Sequence, residues 1–225
     1  MKRLVLVLVL PLALFGKVTA VAVADDTNPP PWRGQPRTTY GQWDFATDVP
    51  DPAPVAGSYN PYGPPRMWID GFPSSPPTPP RAWKDLWEGR AGVWHLSGDI
   101  WLDIPNAPDQ PQWHKELWVQ LTWIPDDDPQ VPPFAEVLQE QGPPIRGQLI
   151  EQDPIGPGAW MHSTWLITLP NNPREERLHV SGSVLVDQLV VDTRCAVPEP
   201  STFVLLSVGV TGLLGFAWRR RKRTA

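Results

Sequence analysis

From Gly92 onward the chain alternates apolar and polar side chains with period two. Between residues 94 and 104, Trp94, Leu96, Ile100, Leu102 and Ile104 hold one parity, while His95, Ser97, Asp99 and Asp103 hold the other. That pattern predicts a strand with one face on a core and one facing water. The stretch from Glu116 to Ile124 repeats it, with Leu117, Val119, Leu121 and Trp123 opposite Glu116, Gln120 and Thr122. Between Trp160 and Leu169, Met161, Ser163, Trp165, Ile167 and Leu169 share a face opposite His162, Thr164 and Thr168. The closing strands are predicted from Leu178 to Thr193, where Val184, Leu185, Val186, Leu189, Val190 and Val191 surround Asp187-Gln188 and Gly182 marks a turn or bulge.

Turn signals separate these segments at Pro105-Asn106, 125–129, Gly142-Pro143-Pro144, 153–158 and Asn171-Asn172-Pro173. Many β segments punctuated in this way predict an all-β fold, a single antiparallel β-sandwich. Only Phe134 to Gln141 reads as a turn or two of helix, and no repeat period points to a propeller or solenoid. Upstream, residues 25–80 are dense in proline, which removes a backbone donor and fixes φ, so long helices and central strands are disfavoured there. Aromatic residues nevertheless punctuate this stretch in Tyr40-Gly41-Gln42-Trp43-Asp44-Phe45 and Met67-Trp68-Ile69-Asp70. We read ordered loops with two short edge strands that join the main sandwich of residues 81–196.

The two ends differ from the body. Lys2-Arg3 precedes an apolar run from Leu4 to Phe15, and Ala22-Val23-Ala24 offers a cleavage site of the A-x-A type. This predicts a secretory signal peptide over residues 1–24, with Ala20-Val21-Ala22 as a second cleavage choice, and a mature chain starting near Asp25. The run is too short to span a bilayer, which takes about 20 apolar residues. At the other end Val197-Pro198-Glu199-Pro200 leads into the apolar residues 201–218, and Arg219, Arg220, Arg221, Lys222 and Arg223 follow. An 18-residue apolar run approaches the lower limit for a spanning helix, and a cationic cluster behind it stays on the cytoplasmic side.

This order of short motif, apolar run and basic stop resembles the bacterial PEP-CTERM protein-sorting signal. The resemblance implies an exported precursor held in the cytoplasmic membrane by one C-terminal helix, then processed near Pro198-Glu199-Pro200 by an exosortase-type membrane transpeptidase, with signal peptidase and the secretion machinery as earlier partners. The destination implied is the cell surface or extracellular matrix. Trp43-Asp44-Phe45, Asn60-Pro61-Tyr62-Gly63-Pro64, Gly92-Val93-Trp94, the strand 118–123 and the closing strand 186–193 also look like exported proteins of that group, whose body is a jelly-roll-like sandwich. The closing strand is similar to the last strand of carbohydrate-binding jelly rolls, a likeness of fold that does not itself imply sugar binding.

Charge narrows the partners. Between Asp25 and Val197 there are 11 Lys or Arg against 23 Asp or Glu, a formal charge of −12. Nucleic-acid affinity is drawn from clustered Lys and Arg, so nucleic acid is not expected as a partner. Cys195 is the sole cysteine, which excludes an intramolecular disulfide and leaves stability to the core; its nearness to Pro198 admits tethering, but an incidental thiol at the domain edge is the simpler expectation.

Catalytic signals are thin. His95, His114, His162 and His179 are scattered and lack the i, i+4 spacing of a helical zinc site. They are expected in structural roles, and neither a metal nor a cofactor is predicted. There is no G-x-S-x-G. Asp99 and Asp103 share a strand face at a separation of about 13 Å, wider than a glycosidase pair, and Asp126-Asp127-Asp128 reads as a solvated hairpin loop. The surplus is tryptophan, with 12 of 13 in the body. Trp94, Trp123 and Trp165 fall on apolar faces, whereas Trp101, Trp118 and Trp160 lie among polar neighbours. These last three form a candidate glycan platform, unless the proline-rich loops cover them. The expected function is therefore a non-enzymatic structural or adhesive sandwich, with a glycan-binding module or a secreted polysaccharide-active enzyme as alternatives. The enzyme would require Asp99 or Asp103 to face a carboxylate such as Glu116.

Overall fold

In the computed structural model the described residues are 25–49, 51–69, 83–96, 99–107, 113–126 and 131–196, with Val208, Gly209 and Thr211 of the tail. They form the strands β1 (Thr38–Trp43), β2 (Arg66–Ile69), β3 (Trp83–Trp87), β4 (Arg90–Leu96), β5 (Asp99–Pro105), β6 (His114–Pro125), β7 (Phe134–Leu138), β8 (Ile145–Arg146), β9 (Gln148–Pro154), β10 (Met161–Leu169), β11 (Glu175–Ser181) and β12 (Val184–Ala196). A seven-stranded sheet runs β3-β4-β12-β6-β10-β9, with β1 also paired to β12, and a five-stranded sheet runs β2-β5-β11-β7-β8. Every pairing is antiparallel. The chain crosses between sheets at β1–β2, β2–β3, β4–β5, β5–β6, β6–β7, β8–β9, β10–β11 and β11–β12, and β4-β12-β6-β10 facing β5-β11-β7-β8 winds in the manner of a jelly roll.

Period two places the core between the sheets. Leu117, Val119, Leu121 and Trp123 of β6, with Trp165, Ile167 and Leu169 of β10, meet Ile100, Leu102, Ile104, Leu178, Val180, Ala135 and Val137 from the five-stranded sheet. The long β12 keeps an apolar inner face despite a change of parity. Its register shifts between Val186 and Gln188, so Val184 and Val186 point inward before the bulge and Leu189 and Val191 after it, with Asp187 and Gln188 aimed outward.

Three expectations are corrected. The alternation from Trp94 to Ile104 is not one strand. β4 ends at Leu96 in the seven-stranded sheet and β5 begins at Asp99 in the other, the parity continuing because both strands face one core. Residues 134–138 are strand, not helix: Ala135 and Val137 point into the core while Phe134, Glu136 and Leu138 are half-buried on the outside. The chain then passes from β8 to β9, changing sheets at Gly147, whose N–H donates to Ala135 O at 2.8 Å. A Cβ there would lie 3.0 Å from Trp165 Cβ and 3.1 Å from Ala135 O. The third correction, to the tryptophan platform, depends on the outer faces described below. Both predicted edge strands exist as β1 and β2. The predicted signal peptide falls outside the described residues, as does the predicted membrane helix except for Val208, Gly209 and Thr211, which are helical. Among the described residues no helix is long and apolar enough to cross a membrane.

Candidate functional site

The outer face of the seven-stranded sheet carries a polar layer roofed by residues 25–33. Asp187 and Asp192, aimed outward by β12, each meet a guanidinium that is shared with a carboxylate of the roof. Arg33 Nε and Nη2 donate to the two Asp192 oxygens at 2.6 Å each, and the same side chain pairs with Asp26. Arg90 bridges Asp187, at 2.5 Å, and Asp25. The Asp25 N–H donates to Gln188 Oε1 at 3.1 Å, Gln120 Nε2 donates to Asp26 at 2.9 Å, and Gln188 Nε2 donates to Asp44 at 2.8 Å. Burial pushes both Asp187 and Asp192 up to about 6, against the pull of their arginines and helped by the second carboxylate on each guanidinium. Burial also lowers His162 beneath this layer. Loss of hydration on burial is the main cause of the rise at both aspartates, and the second carboxylate on each guanidinium adds to it.

The outer face of the five-stranded sheet carries a row at one register: Trp68 opposite Trp101, Trp101 opposite His179, His179 opposite Glu136 and Glu136 opposite Arg146. His179 lies parallel to the Trp101 indole, with ring centroids 4.0 Å apart and 9° between planes. Its Nε2 is 2.7 Å from Asp99 and its Nδ1 2.9 Å from Glu136. One row away, Arg177 holds both Asp103 oxygens at 2.7 Å.

The proposed tryptophan platform does not form as a patch. Trp160 is fully buried, packed with Val93, Ile124 and Leu185, its Nε1 donating to Glu88 O at 3.2 Å and Arg90 lying over its ring. Trp118 is half-buried under the roof and donates to Asn28 O at 2.8 Å. Trp101 is half-buried on the opposite sheet, with one ring face against His179. The carboxylate pair required of an enzyme is likewise not assembled as expected. Glu116 lies outside the seven-stranded sheet on Arg194, at 2.7 Å, while Asp99 and Asp103 lie outside the other. Burial raises Glu116, but Arg194 and His114 outweigh it and hold the carboxyl below its usual range. His95 contacts Asp126 at 2.6 Å and His114 contacts Glu116 at 3.3 Å; Asp127 and Asp128 lie outside the described residues. Among the described residues no group of three or more His, Cys, Asp or Glu side chains could hold a metal ion.

A buried polar cluster at one end of the sandwich was not anticipated, although its signal is present. Lys115 continues the inward parity of Leu117 and Val119, Glu176 that of Leu178 and Val180, Asn106 that of Leu102 and Ile104, and Cys195 that of Leu189 and Val191. Polar type argued for the surface, but parity argued for the core. Lys115 and Glu176 are both 0 % exposed, with Lys115 Nζ 3.0 Å from Glu176 Oε1 and 2.6 Å from Asn106 Oδ1.

An all-β sandwich followed by a linear address at its C-terminal end defines a class of protein by route instead of by chemistry. Residues 196–222 match the PEP-CTERM protein-sorting motif. The match takes in Val197, Pro198, Glu199 and Pro200 and runs through Arg219, Arg220, Arg221 and Lys222, with Arg223 next in the chain; all of these lie outside the described residues. The motif implies an exported protein, anchored in the membrane before processing and recognised by exosortase. No curated protein and no solved structure matches the chain.

Proposed function

We propose that this chain is an envelope or extracellular-matrix protein whose sandwich is a non-catalytic structural or adhesive body, delivered by signal peptidase and then exosortase. The observation that carries the reading is the sorting motif at residues 196–222, placed directly after the last strand, which ends at Ala196. A processing enzyme thereby meets the motif next to a folded body, while the apolar run and the Arg219–Arg223 cluster keep the precursor at the membrane. The test is to replace Pro198 and Glu199 with Ala. Precursor accumulating in the membrane supports the reading, and normal maturation refutes it.

The row on the five-stranded sheet favours a second reading, a module that binds extracellular polysaccharide. Trp68 and Trp101 stand beside Asp99, Asp103 and Arg177 on one outer face, offering apolar ring edges and groups able to hydrogen-bond hydroxyls. A glycan array comparing the wild type with Trp101→Ala separates the readings: binding lost in the variant supports the module, and no binding by the wild type leaves the structural role.

A further inference from the structure

The polar cluster between the sheets has the parts of an acyl-transfer site. Asn106 Oδ1 accepts from Lys115 Nζ at 2.6 Å, from the Ala107 N–H at 2.9 Å and from Cys195 Sγ at 3.2 Å. Asn106 Nδ2 donates to Asn172 Oδ1 and Pro173 O, both at 2.7 Å, which fixes the amide plane. Glu176 completes the set at 3.0 Å from Lys115 Nζ. Asn106 is 8 % exposed, Lys115 and Glu176 0 % and Cys195 6 %, so water does not compete. Burying an ion pair is costly, and a reaction that removes both charges relieves that cost.

We propose that Lys115 and Asn106 join in an intramolecular isopeptide bond, formed autocatalytically with Glu176 as proton carrier. Glu176 takes a proton from the Lys115 ammonium, and the neutral Nζ attacks Asn106 Cγ. The negative charge that develops on Oδ1 remains held by the Ala107 N–H and the Cys195 thiol, as in an oxyanion hole. As the tetrahedral centre collapses, the Cγ–Nδ2 bond breaks, Nδ2 takes a proton relayed by Glu176 and leaves as ammonia, and the new Nζ–Cγ amide keeps one hydrogen. An ammonium, a carboxylate and a primary amide become a secondary amide, a carboxylic acid and ammonia, so charge and hydrogens balance with no added reactant. Burial raises Glu176 above the usual carboxylate range, against the pull of Lys115, which suits an acid left without a counter-ion. Burial likewise raises Cys195 and keeps it a thiol donor. The bond ties the end of β5 to the start of β6, one sheet to the other, in a chain whose sole cysteine excludes an internal disulfide. It forms within the body and does not depend on processing of the tail.

Peptide mapping by mass spectrometry of the purified full chain tests this. Trypsin should leave Lys115 uncut, giving peptide 91–146 at ~17 Da below its sequence mass, the loss of one ammonia, with fragmentation locating the bond between Lys115 and Asn106. Glu176→Gln, which keeps both the amine and the amide, should restore the full mass and the cut at Lys115. An unmodified wild-type peptide overturns the proposal without recourse to any variant. So does a cross-link of that peptide to the one carrying Glu176, ~18 Da below the summed masses, which signifies a Lys115–Glu176 amide, or to the one carrying Asn172 in place of Asn106.

Discussion

Arg33 grips Asp192 with two parallel hydrogen bonds of 2.6 Å, joining a loop at the start of the described chain to its last strand. Asp192 is 0 % exposed, so its charge depends on that guanidinium, and Asp26 competes for it. The two ends of the body are thereby coupled through one cation.

The shared cations make stability depend on pH. An unfolded Asp titrates at about 3.9, whereas burial lifts Asp187 and Asp192 to about 6. As pH falls the folded state takes up these protons first, so both groups add stability that is complete below about pH 4 and is lost as pH rises through about 6. Glu116 acts in the opposite sense only below the usual Glu range of about 4.3, and His162, lowered by burial, opposes the two aspartates as pH falls below its usual value of about 6.5, one group against two. The unfolding temperature is therefore expected to be higher at about pH 5.5 than at about pH 7.5, with a flatter profile in Asp192→Asn. A thermal scan across this range that rises with pH would contradict the assignment.

Removing the guanidinium should open the roof. Arg33→Ala leaves the Asp192 carboxylate buried without its partner, a loss of about 3 kcal/mol. Limited proteolysis should then cut within residues 25–33 while the strands stay intact, and unchanged resistance there would show that the clamp does not hold the roof.

The sheet-to-sheet passage at Gly147 has no room for a methyl group. Gly147→Ala sets a Cβ against Trp165 Cβ and Ala135 O, at 3.0 and 3.1 Å, both in the packed interior. Overpacking of this kind costs about 1–3 kcal/mol, read as a lower urea midpoint with an unchanged slope.

Within the core, Trp123 Nε1 donates to Ser163 Oγ at 2.9 Å across the β6–β10 pair. Ser163→Ala leaves that N–H unsatisfied at a cost of about 1–3 kcal/mol, whereas Ser163→Thr keeps the acceptor. Equal urea midpoints for Ser163→Ala and the wild type would remove the hydrogen bond from the account.

Much of the sandwich could be read from local pattern because parity is a local property. Leu117 to Trp123 and Met161 to Leu169 have the faces that alternation assigned them, and Tyr40–Trp43 and Met67–Ile69 are strands at sheet margins. Phe134 to Leu138 was misread because five residues with two inward positions carry little periodic signal. The tryptophans were misjudged for a different reason. Trp118 and Trp160 are covered by Asn28, Glu88 and Arg90, distant residues that no property of their own strands announces.

The sequence alone determined the address, because a short motif, an apolar run and a basic stop act in linear order and are recognised without a fold. It also determined the β character of the body, since alternation within a strand reflects which face meets water. Tertiary structure alone decided which strands became neighbours, which tryptophans were roofed, and that Lys115, Asn106 and Glu176 share one dry pocket. Those outcomes depend on contacts between residues far apart in the chain, whose free energy comes from the pairing itself and is written in neither partner separately.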